Sequence, residues 1–362
     1  MQGAYFDSAL HVLSQRPPSK DRTLSSLSII QDPIDPEVAQ KHHFAQPLVF
    51  FRLDPFTTLV RSDYLQSLKS FRLRIPGRQF VQYICAAPGS LPALELLDIS
   101  TCMMQESEVE TLLVRFTKLR HLILDGCNMK RLDVADGQWV ALGKACSLAG
   151  VRRAKEREKK LRAWLQANAD RSIARNSEQT VIEGMEMDGQ DGARRPRRGR
   201  RGLATATISL REPSAKNNSF PPVFGINATV TKIRILPSSP SLVSLATTTL
   251  SQIPIERHPD IRADFERGWT EGLAQLTGTR NRLRQSWHNG VRVVRFSEEA
   301  CASEDGLDGL VDLDREDETD FRNINVGEGR TPLLCLAGPG RKDGHVEGCG
   351  HAIEWDVWKD DL

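Results

Sequence analysis

The residues best suited to chemistry lie near the C-terminus. Cys335, His345, Cys349 and His351 are four side chains of zinc-ligand type within 17 positions. A tetrahedral site would hold such sulfur and imidazole ligands about 2.0–2.3 Å from the ion. The intervals of nine, three and one residues follow no known finger spacing, and Cys349-Gly350-His351 is an awkward step for joint ligation that only the glycine eases. Cys335 sits in Leu334-Cys335-Leu336, which reads as core, and both histidines read as surface-loop residues. The sequence alone therefore assigns no metal ligand and no cofactor.

Other reactive constellations are weaker still. The chain has no G-x-S-x-G, no H-E-x-x-H, no phosphate loop and no strand-linked G-x-G-x-x-G. In Gly338-Pro339-Gly340-Arg341-Lys342 the proline removes an amide that a phosphate cradle needs. Asp312 and Asp314 lie in a run of acids, where no pocket would raise one carboxyl for acid–base work. No catalytic residue is assigned, and a non-enzymatic protein is expected.

Charge is unevenly spread. Residues 151–202 carry 15 Lys plus Arg against 8 Asp plus Glu, a net of +7, although the whole chain is only +2. Within them Arg194, Arg195, Arg197, Arg198, Arg200 and Arg201 form a cluster of the nuclear-import or phosphate-neutralising kind. No aromatic residue is interleaved on which bases could stack, which argues against a nucleic-acid partner. A nuclear, nucleic-acid-associated role through this tract stays as the alternative. Residues 298–320 hold 11 acids and one Arg, a net of −10, and read as disordered.

The elements that must position any site come from a repeat. Leu65, Leu68, Phe71, Leu73 and Ile75 are followed by Leu91, Leu94, Leu97, Ile99 and Cys102, then by Phe116, Leu119, Leu122, Leu124 and Cys127. The starts are 26 and 25 residues apart, inside the leucine-rich-repeat range of about 20–29. Leu24, Leu27 and Ile29, and Leu48, Phe51 and Leu53, are fainter copies upstream. The L-x-L pair reads as a short strand with both leucines facing inward, and a helix-like segment such as 106–115 follows each strand. The Cys after the strand can serve backbone groups exposed at the turn. Alternation then puts Ser70, Arg72, Arg74, Leu96, Asp98, Ser100, His121, Ile123 and Asp125 on the open, concave face, where a protein ligand is expected to bind.

The segments Asp98-Ile99-Ser100-Thr101-Cys102 and Leu124-Asp125-Gly126-Cys127-Asn128 resemble the cysteine-containing leucine-rich repeats of F-box proteins. The run from Trp139 to Lys160 is similar to fungal proteins of the F-box and leucine-rich-repeat type. The resemblance covers about residues 24–130. It implies an α/β solenoid in which the repeats select a substrate protein, and an F-box that binds a Skp-type adaptor of a cullin ubiquitin ligase. No F-box-like helical segment with Leu-Pro and a later Cys-x-x-Trp precedes the repeats, and residues 1–23 are too short to hold one.

The expected organisation is a ragged cap (1–23), leucine-rich repeats (24–137), two capping helices that part near Gly150 (138–176), a disordered basic linker (177–222), a small α/β segment with a long helix (223–297), an acidic disordered tract (298–330) and a C-terminal docking segment (331–362). No run of about 18 apolar residues could span a membrane. Seven Cys without a CxxC pair, and a start that lacks a secretory signal, suggest a reducing compartment, cytoplasm or nucleus.

Overall fold

The computed structural model describes residues 3–16, 23–31, 53–86, 89–127, 137–183, 233–248, 254–296, 309–321, 330–339 and 344–358. Among them the elements in chain order are α1 (Gly3–Ser14), β1 (Ser26–Ile30), α2 (Asp54–Val60), β2 (Ser70–Arg74), α3 (Val81–Ile84), β3 (Leu96–Asp98), α4 (Glu106–Arg115), β4 (His121–Ile123), α5 (Gln138–Glu183), β5 (Arg234–Ile235), β6 (Ser244–Ala246), α6 (His258–His288), β7 (Val293–Phe296), β8 (Leu310–Asp312), β9 (Leu333–Cys335) and α7 (Gly350–Trp358). The chain forms two compact units. One is Met1–Lys160 with Thr231–Leu362, and the other is Leu161–Val230, whose described part is the C-terminal stretch of α5.

The first unit is an α/β body on a parallel six-stranded sheet, ordered β1-β2-β3-β4-β6-β9. Every strand neighbours the next sheet member along the chain, and the register is strict. Leu27, Phe71, Leu97, Leu122, Leu245 and Leu334 fall in one row. That row points into the main apolar core, where it meets Val81 and Ile84 of α3, Leu112 and Leu113 of α4, Trp139 and Leu142 of α5, and Phe265 and Trp269 of α6. Because side chains alternate along a strand, the neighbouring residues point to the opposite face. There a second, smaller apolar cluster forms from Leu96, Ile123, Ala246, Cys335, Ala337 and Cys349.

Local sequence explains the helices on the core side. Pro55 lies in the first turn of α2, where its missing N–H costs nothing. Gln105 and Glu108 form a capping box at the start of α4. The turns after β3 and β4 repeat each other. Thr101 (φ 66°) and Gly126 (φ 64°) occupy the same left-handed position, and the thiols of Cys102 and Cys127 donate to the carbonyls of Leu73 and Ile99, each 3.3 Å away. Burial pushes Cys102 up to about 12 and Cys127 well above its usual value, so both keep the proton they donate.

Several expectations need correction. β1 pairs directly with β2, and Leu48 and Phe51 of the second upstream copy lie outside the described residues. The sheet does not end at β4, because β6 and β9 continue it after long insertions. Segment 223–297 is therefore divided: β6 joins the large sheet, while β5 and β7 form a three-stranded sheet with β8. The pair of capping helices parting near Gly150 is one helix, α5. Gly150 lies inside it because the Ser238 carbonyl would stand 2.2 Å from any Cβ there. The face of α5 expected in solvent is partly buried as well. Arg153 donates to the Val114 carbonyl (2.7 Å), and Glu158 accepts from the Ile235 N–H (3.0 Å) and from Arg234 (2.8 Å).

The acidic tract is also ordered over residues 309–321. β8 pairs antiparallel with β7, and Leu310, Leu313 and Phe321 are buried. The carboxylates of Asp312, Glu318 and Asp320 meet Arg292, Arg284 and Arg295. Composition counted the acids without the arginines that face them. The Arg194–Arg201 cluster and most of the 177–222 linker lie outside the described residues, and residues 177–183 belong to α5.

Candidate functional site

The nine residues expected on the open face do share one face of the sheet, but that face is covered. Arg72, Leu96, Asp98, Ser100, Ile123 and Asp125 are buried, and Ser70, Arg74 and His121 are half-buried. The cover is the chain's own segment 344–358, ending in α7. Alternation along the strands was enough to group these residues, but it carries no information about a segment more than 200 positions away.

The cover is held through polar groups. Glu354 of α7 accepts from Arg72 Nε and Arg74 Nη2, both at 2.7 Å. Arg74 Nε also donates to Asp98 at 2.6 Å, and Asp98 accepts the Ser100 N–H at 2.9 Å. The Arg72 guanidinium lies 4.8 Å from the Trp358 ring centroid. Burial, then the nearby Asp98 carboxylate, raise the Glu354 carboxyl to about 8, against the pull of Arg74 and Arg72. Further along the sheet, His121 Nδ1 and Ser244 Oγ are 2.9 Å apart, and burial lowers the His121 pKa.

At the other end of the cover the four residues of metal-ligand type meet. One nitrogen or sulfur atom from each of Cys335, His345, Cys349 and His351 lies within 4.8 Å of all the others. Cys335 Sγ is 3.5 Å from His345 Nδ1 and 3.5 Å from His351 Nδ1, and Cys349 Sγ is 3.7 Å from His345 Nδ1. His351 turns its other nitrogen, Nε2, to the buried Asp125 carboxylate. Thr248 Oγ1 donates to the same carboxylate at 3.2 Å.

The four side chains come together despite their irregular spacing, and the local backbone shows why. Cys335 ends β9. Gly344 (φ 95°) and Gly348 (φ 76°) take left-handed conformations, and the Cys349 N–H bonds the Val346 carbonyl at 3.0 Å. This tight turn puts His345 and Cys349 on the same side, and α7 begins at once. Gly350 lets that helix start lie on the sheet, since a Cβ there would be 3.1 Å from Ile123 Cγ1. Asp125 and Glu354 are the residues whose roles the sequence hid. Asp125 was singled out only as a face residue, and Glu354 was not singled out at all.

Among the described residues, no helix is long and apolar enough to cross a membrane. Compared with known proteins, the chain matches no family model, no curated protein and no solved structure.

Proposed function

We propose that this chain is a non-enzymatic protein-interaction module: a short leucine-rich-repeat arc that recognises a protein partner through its strand face. Support comes from the chain-ordered parallel strands with one leucine or phenylalanine row, and from the repeated Cys turn that closes two of the units. The observation that carries the reading is the way the face already holds a helix. Arg72 and Arg74 converge on one carboxylate of α7, so the surface is shaped for a helical segment that presents an acid. A partner of that kind would compete with Glu354 for Arg72 and Arg74. The resemblance to F-box repeat proteins extends the proposal to a substrate receptor of a cullin ligase, with a Skp-type adaptor as second partner.

The test compares three tagged forms of the full chain in cell extracts. Glu354→Lys repels α7 from the two arginines and should increase recovery of the partner. Adding Arg72→Glu and Arg74→Glu should abolish it. Recovery that ignores both changes would remove the strand face from the account. Co-recovery of a Skp-type adaptor and a cullin would support the ligase extension, and their absence beside a face-dependent partner would leave a plain interaction scaffold.

A further inference from the structure

The geometry points to a structural zinc site formed by Cys335 Sγ, Cys349 Sγ, His345 Nδ1 and His351 Nδ1, which fastens the C-terminal cover to the sheet. This inference stands apart from the repeat reading, because it needs only the four side chains and their surroundings.

Three of the six ligand–ligand distances have the length of tetrahedral edges. With Zn–S near about 2.3 Å and Zn–N near about 2.0–2.1 Å, each sulfur–nitrogen edge of a tetrahedral site spans about 3.6 Å. The three such edges seen here are 3.5, 3.5 and 3.7 Å. All four ligand atoms lie within 4.8 Å of one another, so they surround one small volume.

The surroundings fit as well. A metal-bound histidine normally hands its second ring N–H to a carboxylate, which fixes the tautomer and aims the free nitrogen at the ion. Asp125 does this for His351 Nε2, and is itself held by Thr248. The two imidazoles stand edge to face, with centroids 4.9 Å apart and planes at 75°, as two ligands of one ion can. The shell is dry: Cys335, Cys349 and His351 are fully buried, beside Ile123, Ala246 and Ala337.

The donor set selects the metal. Two thiolates and two imidazoles in a tetrahedron suit zinc, whereas magnesium and calcium take oxygen ligands. Four protein ligands leave no open position for water, which marks a structural ion and not a catalytic one. On binding, each thiol gives its proton to solvent and each histidine offers the lone pair of a neutral Nδ1, so two thiolate charges balance Zn²⁺.

The experiment uses the full chain, stripped with a chelator under reducing conditions and then reloaded. Elemental analysis after zinc loading should find about one equivalent per chain. Cobalt(II) in place of zinc should show thiolate-to-metal charge-transfer bands with strong tetrahedral ligand-field bands, and zinc should displace it. Cys349→Ser should weaken cobalt binding at least about 100-fold, and Asp125→Asn about 10–100-fold through lost orientation of His351. Cys85→Ser, at a half-buried cysteine of the same body, should leave binding unchanged. Retention below about a tenth of an equivalent by the folded wild-type chain overturns the site. A cobalt spectrum without sulfur bands overturns it equally.

Discussion

Glu354 is a carboxyl buried between two guanidiniums and a second carboxylate, and its protonation governs how firmly α7 sits. Its folded value is about 8, above the usual 4.5, with burial as the leading cause. A raised value means the folded chain binds a proton that the unfolded chain has already lost. The contribution is fully present below about 4.5 and is lost as pH rises through about 8. The denaturation midpoint of metal-free protein should therefore fall between pH 5 and pH 8, and Glu354→Gln should flatten that part of the profile. An unchanged slope in the variant would mean that Glu354 does not titrate in this window. Nothing in the sequence marks such a residue. It lies in a short C-terminal helix between Ile353 and Trp355, and only the approach of Arg72 and Arg74 from strand β2 makes it special. The Cys/His quartet differed. Its residue types were visible, but the turn built on Gly344 and Gly348, which brings them together, was not.

At the scale of elements, α5 and α6 cross at backbone contact. A Cβ on Gly268 would fall 1.9 Å from the Val140 carbonyl oxygen, and one on Gly143 would fall 2.2 Å from that of Phe265. These are main-chain atoms of packed helices, so the crossing must open to admit a methyl group. Gly268→Ala should destabilise the chain by about 1–3 kcal/mol, the range for overpacking. Gly278 lies one helical stretch further along α6 with nothing within 4 Å of a Cβ. There the intrinsic preference of alanine for helix decides, and Gly278→Ala should stabilise by about 0.5–1 kcal/mol. Denaturant titration of the two variants reads both signs, and equal effects would refute the crossing geometry. Helix periodicity alone located α6 within two residues at either end, since Ile261, Phe265, Trp269 and Leu276 all fall on its buried side. The same periodicity misread Gly150 as a stop. A glycine that admits a neighbour's carbonyl and a glycine that ends a helix look alike in one dimension.

The whole first unit has two unlike layers on its sheet. On one face, helices bury a broad apolar core around Phe71, Phe265 and Trp269. On the other, residues 344–358 are held by few apolar side chains and by the Arg72–Glu354, Arg74–Glu354 and Asp125–His351 pairs. The α/β character and the rows of parallel strands were legible, because the L-x-L spacing repeats within about one residue. The cover was foreshadowed only as a C-terminal docking segment over residues 331–362. Its anchors are charges and metal-ligand side chains, which hydrophobic patterning does not register. The two layers should also differ in stability. Buried ion pairs return little net free energy once their desolvation is counted, whereas apolar burial scales with area. Metal-free protein should therefore open locally at α7 before the sheet unfolds. Native-state hydrogen exchange in low denaturant should show amides of 350–358 exchanging well ahead of those in β3 and β4. Zinc should slow them toward the rate of the sheet, because the ion ties Cys349 and His351 to Cys335 of β9. Equal protection of cover and sheet without metal would mean that the polar interface alone makes the two layers one cooperative unit.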